Sequence, residues 1–431
     1  MTLILMLAAL LLLLALRVPV GIALLVPSLV YIITDPSSSP ALAVQQATSG
    51  VFDFAILAVP MFILLGNLAN ISGATDRLYD AAVAAIGHVR GSLGYVNILT
   101  SFGFSWVSGA AISDAAAMGR IQVPAMIRRG YPVGFSLGVT GASSLIAPMM
   151  PPSIPAIIYA VTAGVSVGAL FMAGIVPAVL LVLTLSAMVW VLTRKRNDLR
   201  LPKASRADRV KSGLRALPPV GAAVVILGGI LSGILSGIFT PTEASAVGVA
   251  YIAMLAIVYG NFTWEKVRHA LVTAVETTGG ILIIVAGAAL FGWVLAREQA
   301  PQLAAEVLLS ITDRPIVFLI LVNLLLLIIG CVLEPTSAIL ILVPVLLPVA
   351  EVFGLSPVHF GIMIIFNLLI GLLTPPVGLV LFVLSSVTKY PVTTVIRGTM
   401  PFFIPMLITL ILISVVPFLS LWLPSLLGYA V

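Results

Sequence analysis

Two pairs of adjacent prolines interrupt apolar stretches of the sequence, and side chains with hard oxygen atoms precede each pair. The prolines are Pro148, Pro151 and Pro152 in the first stretch and Pro375 and Pro376 in the second. The oxygen-bearing side chains are those of Ser143, Ser144, Asn367 and Thr374. Because proline lacks a backbone N–H and clashes with the preceding turn, each pair is predicted to break a helix. Carbonyl groups freed at such a break can coordinate a cation, and the N-terminus of the following half-helix can face a carboxylate.

Two further groups of polar residues lie at the centres of long apolar segments, 92–127 and 315–352. Their candidate ligands are Ser108, Ser113 and Asp114 in the first segment and Glu334, Thr336 and Ser337 in the second. The apolar arms on either side of each centre are about 15 residues long, whereas a spanning helix needs roughly 20 residues. Arms of this length predict two re-entrant hairpins, each of which enters and leaves the membrane on one face.

Each of these residues also has a structural explanation. Serine and threonine in a membrane helix often bond to their own backbone or pack against a neighbouring helix. A carboxylate at the membrane centre costs about 2.5–3.5 kcal/mol, which makes Asp114 and Glu334 candidates for function. Arg120 can hold an anion or pair with Asp114, although a side chain that extends toward the cytoplasm explains it better.

The composition places these residues in a membrane protein. Of 431 residues, 61% are hydrophobic and 8% are charged, whereas soluble domains have about 45–50% apolar and about 25% charged residues. The single cysteine, Cys331, excludes an internal disulfide framework. The net charge of +6 does not indicate nucleic-acid binding, because the basic residues lie in loops between apolar segments. Helices are predicted at 2–16, 18–34, 53–72, 169–193, 217–239, 243–260, 270–296 and 398–427, with broken helices at 134–163 and 357–388.

The distribution of lysine and arginine predicts the orientation of the chain. The basic segment 194–215 is expected to be a cytoplasmic loop, because lysine and arginine accumulate in such loops. Tracing the spans outward from it places both termini outside and all of the 21 lysine and arginine residues inside except Arg297 and Arg314. Two amphipathic segments, 75–90 and 300–314, precede the hairpins and are expected to lie along the membrane surfaces.

The two halves of the chain correspond after a shift of 224 residues. This shift superposes the two proline pairs and places Ser113 on Ser337, which strengthens both serines as candidate ligands. We therefore predict a first repeat, 1–193, a basic cytoplasmic loop, 194–215, and a second repeat, 216–431. The charge distribution orients the two repeats oppositely. Inverted repeats with interrupted helices at matching positions are typical of secondary transporters.

One stretch carries a family resemblance. GIFTPTEASAVGVAY (237–251), which contains Pro241 and Glu243, strongly resembles the signature of the large membrane subunit of tripartite ATP-independent periplasmic (TRAP) transporters. VPMFILLGNLANISG (59–73) and the proline pairs also fit, and the resemblance covers essentially the whole chain. Glu243 begins a helix, where the helix dipole favours an acid, so a capping role and a role in transport are both open.

The resemblance implies an all-α, polytopic, inverted-repeat transporter of the elevator type in the bacterial inner membrane. In such proteins a domain of two hairpins and two broken helices slides against a scaffold, with sodium as the coupling ion at the hairpins and breaks and no other cofactor. The implied partners are a small four-helix membrane subunit, an extracytoplasmic binding protein and an organic anion: a C4-dicarboxylate, keto acid, sugar acid or sialic acid. Arg297 and Arg314 would then either contact the binding protein or be solvated.

Two alternatives come from other classes of protein. An autonomous sodium/dicarboxylate or arsenite-type transporter would share the architecture and need no binding protein. An intramembrane hydrolase with Ser108 as nucleophile would need a histidine partner, and no histidine is suitably placed. The three histidines, His88, His269 and His359, have no metal-binding spacing, so neither an enzyme nor a transition-metal site is predicted.

Overall fold

The computed structural model describes residues 2–196, 198–200, 205–229 and 239–430, and these residues form helices and no β-strand. The helices before the basic segment are α1 (Thr2–Ala15), α2 (Val20–Thr34), α3 (Pro40–Val51), a 3₁₀ helix (Phe54–Leu57), α4 (Ala58–Ser72), α5 (Ala74–Ile86), α6 (Ser92–Ser108), α7 (Ala111–Arg128), α8 (Val133–Ser144), α9 (Ile154–Ala163) and α10 (Val167–Thr193). The later helices are α11 (Arg206–Gly228), α12 (Pro241–Val258), α13 (Trp264–Arg297), α14 (Ala300–Ile311), α15 (Pro315–Gly330), α16 (Pro335–Val352), α17 (Pro357–Gly371), α18 (Leu379–Thr388), α19 (Val392–Val415) and α20 (Phe418–Leu426).

The length and composition of these helices fit a membrane. Within the described ranges, six helices are long and apolar enough to cross a bilayer. The pair α14 and α15, bent by 117°, would make a seventh if it counts as one span. The protein is therefore an all-helical, polytopic membrane protein.

Both proline pairs interrupt a helix, as the sequence predicts. In the first half α8 ends at Ser144 and α9 begins at Ile154, and in the second half α17 ends at Gly371 and α18 begins at Leu379. The peptide bonds within both proline pairs are cis. The side chain of Ser153 accepts the N–H of Ala156 at 3.2 Å and so caps the helix that restarts after the first break.

Each long segment with a polar centre forms two helices joined by a short turn. Gly109 and Ala110 separate α6 from α7, and residues 331–334 separate α15 from α16. The φ angle of Gly109 is +59°, a left-handed conformation that glycine adopts without strain. The members of each pair pack against each other.

Three segments of the structure differ from the predictions. The segment 398–427 forms α19 and α20 instead of one helix, because Val416 precedes Pro417 and has φ −116° and ψ 87°, outside the helical region. Helix α3 was not predicted, because its sequence, PALAVQQATSGV, is too polar to indicate a span. Helix α11 begins at Arg206, so the last ten residues of the basic segment are helical. The remainder of the predicted helix 217–239 lies partly outside the described residues, at 230–238.

Helices of one half pack against helices of the other half in reciprocal pairs, which we call the exchange pattern. Helix α7 packs against α18, and its counterpart α16 packs against α9. Helix α8 packs against α19, and α17 packs against α10. In the same way α2 packs against α13, and α12 packs against α4. When a helix of the first half packs against a helix of the second, the two corresponding helices therefore also pack together, as expected for two halves of similar structure.

The contact between α8 and α19 depends on glycine. A Cβ atom at Gly138 would overlap the carbonyl group of Gly398. A Cβ atom at Gly134, one turn earlier, would lie 3.5 Å from its nearest neighbour, the Cα of Gly398, which is an ordinary contact. Glycine at such positions allows membrane helices to approach closely through their backbones.

Replacing Gly138 with alanine is expected to destabilise the protein by about 1–3 kcal/mol, because the added methyl group forces α8 and α19 apart. Gly134→Ala is the matched control and is expected to be neutral or slightly stabilising, since alanine favours a helix more than glycine does. Equilibrium unfolding of both purified variants in mixed micelles measures the difference. Equal stability of the two variants would contradict the close approach.

Candidate functional site

A buried chain of hydrogen bonds joins α6, α7 and α8 next to the first break. The hydroxyl of Ser101 donates to Asp114 Oδ2 at 2.8 Å, and its oxygen lies 3.2 Å from Ser143 Oγ. The Ser143 hydroxyl donates to Asn97 Oδ1 at 2.7 Å, and the Asn97 amide donates to Thr140 Oγ1 at 2.7 Å. All five side chains are buried. The structure thus brings together two predicted site residues, Asp114 and Ser143, through Ser101.

One carboxylate oxygen of Asp114 remains free to accept a hydrogen bond or bind a cation in this network. Its Oδ1 is buried and has no hydrogen-bond partner in the described part of the protein. A buried carboxylate is costly unless it is paired or hydrogen-bonded, so this oxygen calls for a proton or a cation. The hydroxyl oxygens of Ser101 and Ser143 are hard donors of the kind that group 1 and group 2 cations prefer.

A second, partly buried network joins α15, α17 and α19 beside the second break. The amide of Asn367 donates to Asn323 Oδ1 at 2.7 Å and to the Asn323 carbonyl at 3.0 Å. The Asn323 amide donates in turn to Ser414 Oγ at 3.2 Å. Asn367 is fully buried, and its Oδ1 has no hydrogen-bond partner among the described residues. That oxygen is therefore available to a ligand.

The two networks occupy corresponding positions in the two halves. Asn97 on α6 and Asn323 on α15 are 226 residues apart, and Ser143 on α8 and Asn367 on α17 are 224 residues apart. In each half an asparagine of the first helix of a turn-linked pair bonds a polar residue of the helix that precedes the break. The chemistry differs, because position 338, which corresponds to Asp114, is alanine.

The three candidates at the turn of the second half lie together at the start of α16. Glu334 is the N-cap residue of this helix, and its Oε2 accepts the backbone N–H of Ser337 at 3.3 Å. Its Oε1 accepts the hydroxyl of Thr336 at 2.8 Å. Glu334 therefore stabilises the helix start in addition to any role in binding.

The candidates at the turn of the first half are more dispersed. Ser113 is half-buried, and its Oγ accepts the amide of Asn70 on α4 at 2.8 Å. The Ser108 hydroxyl donates to the carbonyl of Ala110 at 3.3 Å. Neither serine bonds directly to Asp114, so the structure links Ser113 to a neighbouring helix and not to the buried network.

Two candidates at the breaks bond to their own helices. The Ser144 hydroxyl donates to the carbonyl of Gly141 at 2.8 Å, and the Thr374 hydroxyl donates to the carbonyl of Ile370 at 2.9 Å. This back-bonding is common for hydroxyl side chains in membrane helices. A hydroxyl group that donates its hydrogen keeps its lone pairs, so back-bonding does not remove the ability of either residue to bind a cation.

Glu243 has a capping role. Its Oε2 accepts the backbone N–H of Thr240 at 2.7 Å, and its own N–H donates to Thr240 Oγ1 at 3.3 Å. The two residues form a capping box, with Pro241 at the first position of α12. Its carboxylate is exposed and lies on a helix that takes no part in either network. Of the two roles considered from the sequence, the structure shows the capping role.

Close backbone contacts place each turn against the break of its own half. A Cβ atom at Gly109 would lie 2.6 Å from the carbonyl oxygen of Pro152. A Cβ atom at Gly371, at the start of the second break, would overlap the carbonyl group of Gly330. The glycines therefore let turn and break approach through their backbones, where the carbonyl groups are.

Each break also lies near the helix that leads into the other break. A Cβ atom at Gly141 on α8 would lie 3.0 Å from the side chain of Leu373 in the second break. The Met149 carbonyl of the first break lies against Gly174 on α10, which is also near Ile362 of α17. The breaks and both networks therefore form one central region of the protein.

Several partners in this region were not predicted from the sequence. They are Asn70, Asn97, Ser101, Thr140, Asn323 and Ser414. An asparagine within an apolar helix is costly unless it is bonded, so Asn97 and Asn323 could have been found by that rule. Ser101 carries no signal that distinguishes it from other serines in the same segment.

The structure decides between alternatives for one arginine and changes the interpretation of another. Arg120 does not pair with Asp114, which bonds to Ser101. Arg297 is not a free external charge, because it forms an ion pair with Asp35 at 2.8 Å and a hydrogen bond with Ser37. Hydrogen bonds from Ser38 and Ser37, with a smaller contribution from Arg297, lower the pKa of Asp35 to about 2. Among the residues that the structure describes, no group of three His, Cys, Asp or Glu side chains could hold a metal ion.

Comparisons with known proteins agree with this architecture. The family model of the "Tripartite ATP-independent periplasmic transporter, DctM component" matches residues 7–419. The sialic acid TRAP transporter large permease protein SiaM of Vibrio cholerae is 43% identical over 413 residues, which cover 95% of this chain and 96% of the relative. The C4-dicarboxylate TRAP transporter large permease protein DctM of Pseudomonas aeruginosa is 37% identical over 402 residues, or 93% of each chain.

Among solved structures, the YdaH transporter of Alcanivorax borkumensis has a similar fold, with a TM-score of 0.59 over 89% of each chain and a sequence identity of 17%. The family model covers nearly the whole sequence, and the proteins named above are transporter permeases, not enzymes. This chain therefore belongs to the DctM family, the large permease subunits of tripartite ATP-independent periplasmic transporters.

Proposed function

We propose that this protein is the large membrane subunit of a sodium-coupled importer of an organic anion. The observation that carries the proposal is its membership of the DctM family. Two relatives are named for sialic acid and for C4-dicarboxylates, which are both carboxylates. The substrate class that follows is a C4-dicarboxylate, keto acid, sugar acid or sialic acid.

The proposal includes two protein partners in the bacterial inner membrane and on its outer side. The family description is tripartite, and the names of both relatives specify a large permease protein, which implies a smaller one. We assign a small four-helix membrane subunit and an extracytoplasmic substrate-binding protein to these roles. Both termini of this chain would face outside, as the distribution of lysine and arginine predicts.

Two unpartnered oxygens support sodium sites beside the breaks. Asp114 Oδ1 and Asn367 Oδ1 are both buried and both lack a hydrogen-bond partner in the described ranges. They belong to networks at corresponding positions in the two halves. A sodium ion at each would complete its coordination with hydroxyl oxygens and with carbonyl groups of the neighbouring break.

The exchange of contacts between the halves supports an inverted repeat and an elevator movement. In this proposal the pairs α6–α7 and α15–α16 are re-entrant hairpins, and they move together with α8–α10 and α17–α20. Helices α2, α4, α12 and α13, which pack against one another in the exchanged pattern, form the scaffold. Substrate and sodium would be carried between the two faces at the centre of the moving part.

Uptake of labelled sialic acid or succinate into proteoliposomes that contain this chain and its small membrane subunit is expected to require two conditions. One is an inward sodium gradient, and the other is the cognate binding protein. A potassium gradient of equal size is the control for the ion. Uptake with sodium but without the binding protein would instead favour an autonomous anion transporter, and uptake that is indifferent to sodium would contradict the proposed coupling.

Replacing Ser113 or Ser337 with leucine is expected to reduce sodium-dependent uptake by at least roughly tenfold, the effect of losing about 1.4 kcal/mol of ligand binding. The leucine side chain removes a hard oxygen and fills space at a turn that faces the central region. Uptake as a function of sodium concentration is the measurement. Thr277→Leu, on an exposed face of α13, is the control for a hydroxyl-to-leucine change. Unaltered uptake and sodium response in both serine variants would contradict the assignment of Ser113 and Ser337 to sodium sites.

A further inference from the structure

A cleft lined by polar and apolar residues opens between α4, α5, α7 and α13, apart from the two networks. Its volume is about 400 Å³, within the range of small-molecule sites. Its lining includes Asn67, Asn70, Thr75, Arg120, His269 and Thr273. Ionisable groups in a membrane protein usually face a partner or a water-filled cavity. A lining of this kind therefore indicates a path for a polar solute.

The inner wall of the cleft has polar atoms without partners. Thr75 is 4% exposed, and its Oγ1 has no hydrogen-bond partner within the described part of the chain. Asn70 is half-buried and its amide N–H donates to Ser113, but its Oδ1 likewise has no hydrogen-bond partner among the described residues. A buried polar atom without a partner costs free energy, so these two atoms point to a ligand that supplies hydrogen-bonding groups such as hydroxyls.

Arg120 supplies an uncommitted positive charge at the mouth of the cleft. Its side chain is exposed, and its Nε donates to the carbonyl of Ala116 in its own helix at 3.2 Å. Within the described ranges no carboxylate forms an ion pair with it. The neighbouring Arg77 is committed, because its guanidinium lies 3.0 Å from the ring centroid of Tyr259. The terminal nitrogens of Arg120 can therefore bind a carboxylate in the bidentate geometry that arginine favours.

Two other ionisable side chains line the same cleft. Asp76 and His269 are both exposed and lie at its rim. A carboxylate ligand would be repelled by Asp76 and attracted by Arg120, so the two charges favour one orientation of the ligand. The charged end would lie at the rim beside Arg120, and the polar body would lie against Asn70 and Thr75.

We propose that this cleft binds the transported anion and that this anion is a hydroxylated sugar acid of the sialic acid type, with the Arg120 guanidinium on its carboxylate and Asn70 and Thr75 on its hydroxyl groups. The inference rests on the proposed function, since it assigns a place to the organic anion of that function. It also gives Asn70 a connecting role, because this residue lies in the cleft and bonds to Ser113, a proposed sodium-site residue.

The test measures binding of sialic acid and of its carboxyl methyl ester to the purified full-length chain by titration calorimetry. The ester keeps the hydroxyl groups and loses the charge. Arg120→Gln is expected to weaken binding of sialic acid about tenfold or more, because a charge-assisted hydrogen-bonded pair is lost. The same substitution should leave the weaker binding of the ester unchanged. The effects of esterification and of Arg120→Gln are therefore expected not to add, as for two partners of one contact.

Two further variants make the result specific. Arg120→Lys keeps the charge but loses the bidentate geometry, so an intermediate affinity is expected. Arg128→Gln removes an exposed arginine of the same helix that does not line the cleft, and wild-type affinity is expected. Gel filtration of each variant checks that the fold is intact.

Three outcomes would overturn the cleft assignment. They are wild-type affinity of Arg120→Gln for sialic acid, retained discrimination against the ester in that variant, and absence of sialic acid binding to the wild-type chain. The proposed function fails in a different experiment. Wild-type uptake that ignores sodium and the binding protein would contradict it, whatever the Arg120 variants bind.

Discussion

The hydrocarbon interior of a membrane offers no water, so each backbone group that a broken helix frees must find a partner within the protein. This constraint decides where the two breaks can lie. Residues 145–153 are all buried, and the Ser153 hydroxyl donates to the carbonyl of Pro148 within the break. In the second break the N–H of Val380 reaches back to the carbonyl of Leu372 at 3.0 Å. Other helices therefore enclose the first break, whereas the second is buried at its start, at Leu372 and Leu373, and reaches the surface at Pro376.

The same constraint explains the side-chain networks beside the breaks. Amide and hydroxyl groups away from water are tolerated when they bond to each other, as Asn97 does with α8 and Asn323 does with α17 and α19. These bonds fix the position of α8 against α6 and of α17 against α15. Within these networks, Asp114 and Asn367 each keep one oxygen that no described residue bonds, and groups that are themselves fixed hold these two oxygens in place. Because one is a carboxylate and the other an amide, two ions bound there would differ in their net charge balance.

The sequence was most informative where a feature depends on local chemistry. Proline disrupts the helical turn in which it lies, so the positions of prolines predict both breaks. The end of α19 near Pro417 follows in the same way, although 398–427 was predicted as one helix. The capping box at Glu243 is equally local. The meeting of Asp114 with Ser143 through Ser101 depends on how three helices pack. No spacing along the chain encodes that meeting, and the clue that existed was the cost of an asparagine in an apolar helix.

The boundary between the proposed moving part and the scaffold has a property that sliding requires. We take α1–α5 and α11–α14 as the scaffold side and α6–α10 and α15–α20 as the moving side. Among the side chains that the structure describes, one hydrogen bond joins the two sides, from Asn70 on α4 to Ser113 on α7. A boundary with many hydrogen bonds would resist displacement, since each bond lost without replacement leaves a polar group unpaired. This bond ends on Ser113 near the start of α7, and its donor, Asn70, lines the cleft that holds Arg120. A hydroxyl oxygen has two acceptor lone pairs, so a ligand at Ser113 would share this oxygen with Asn70, and ligand binding and the scaffold would be linked through one contact.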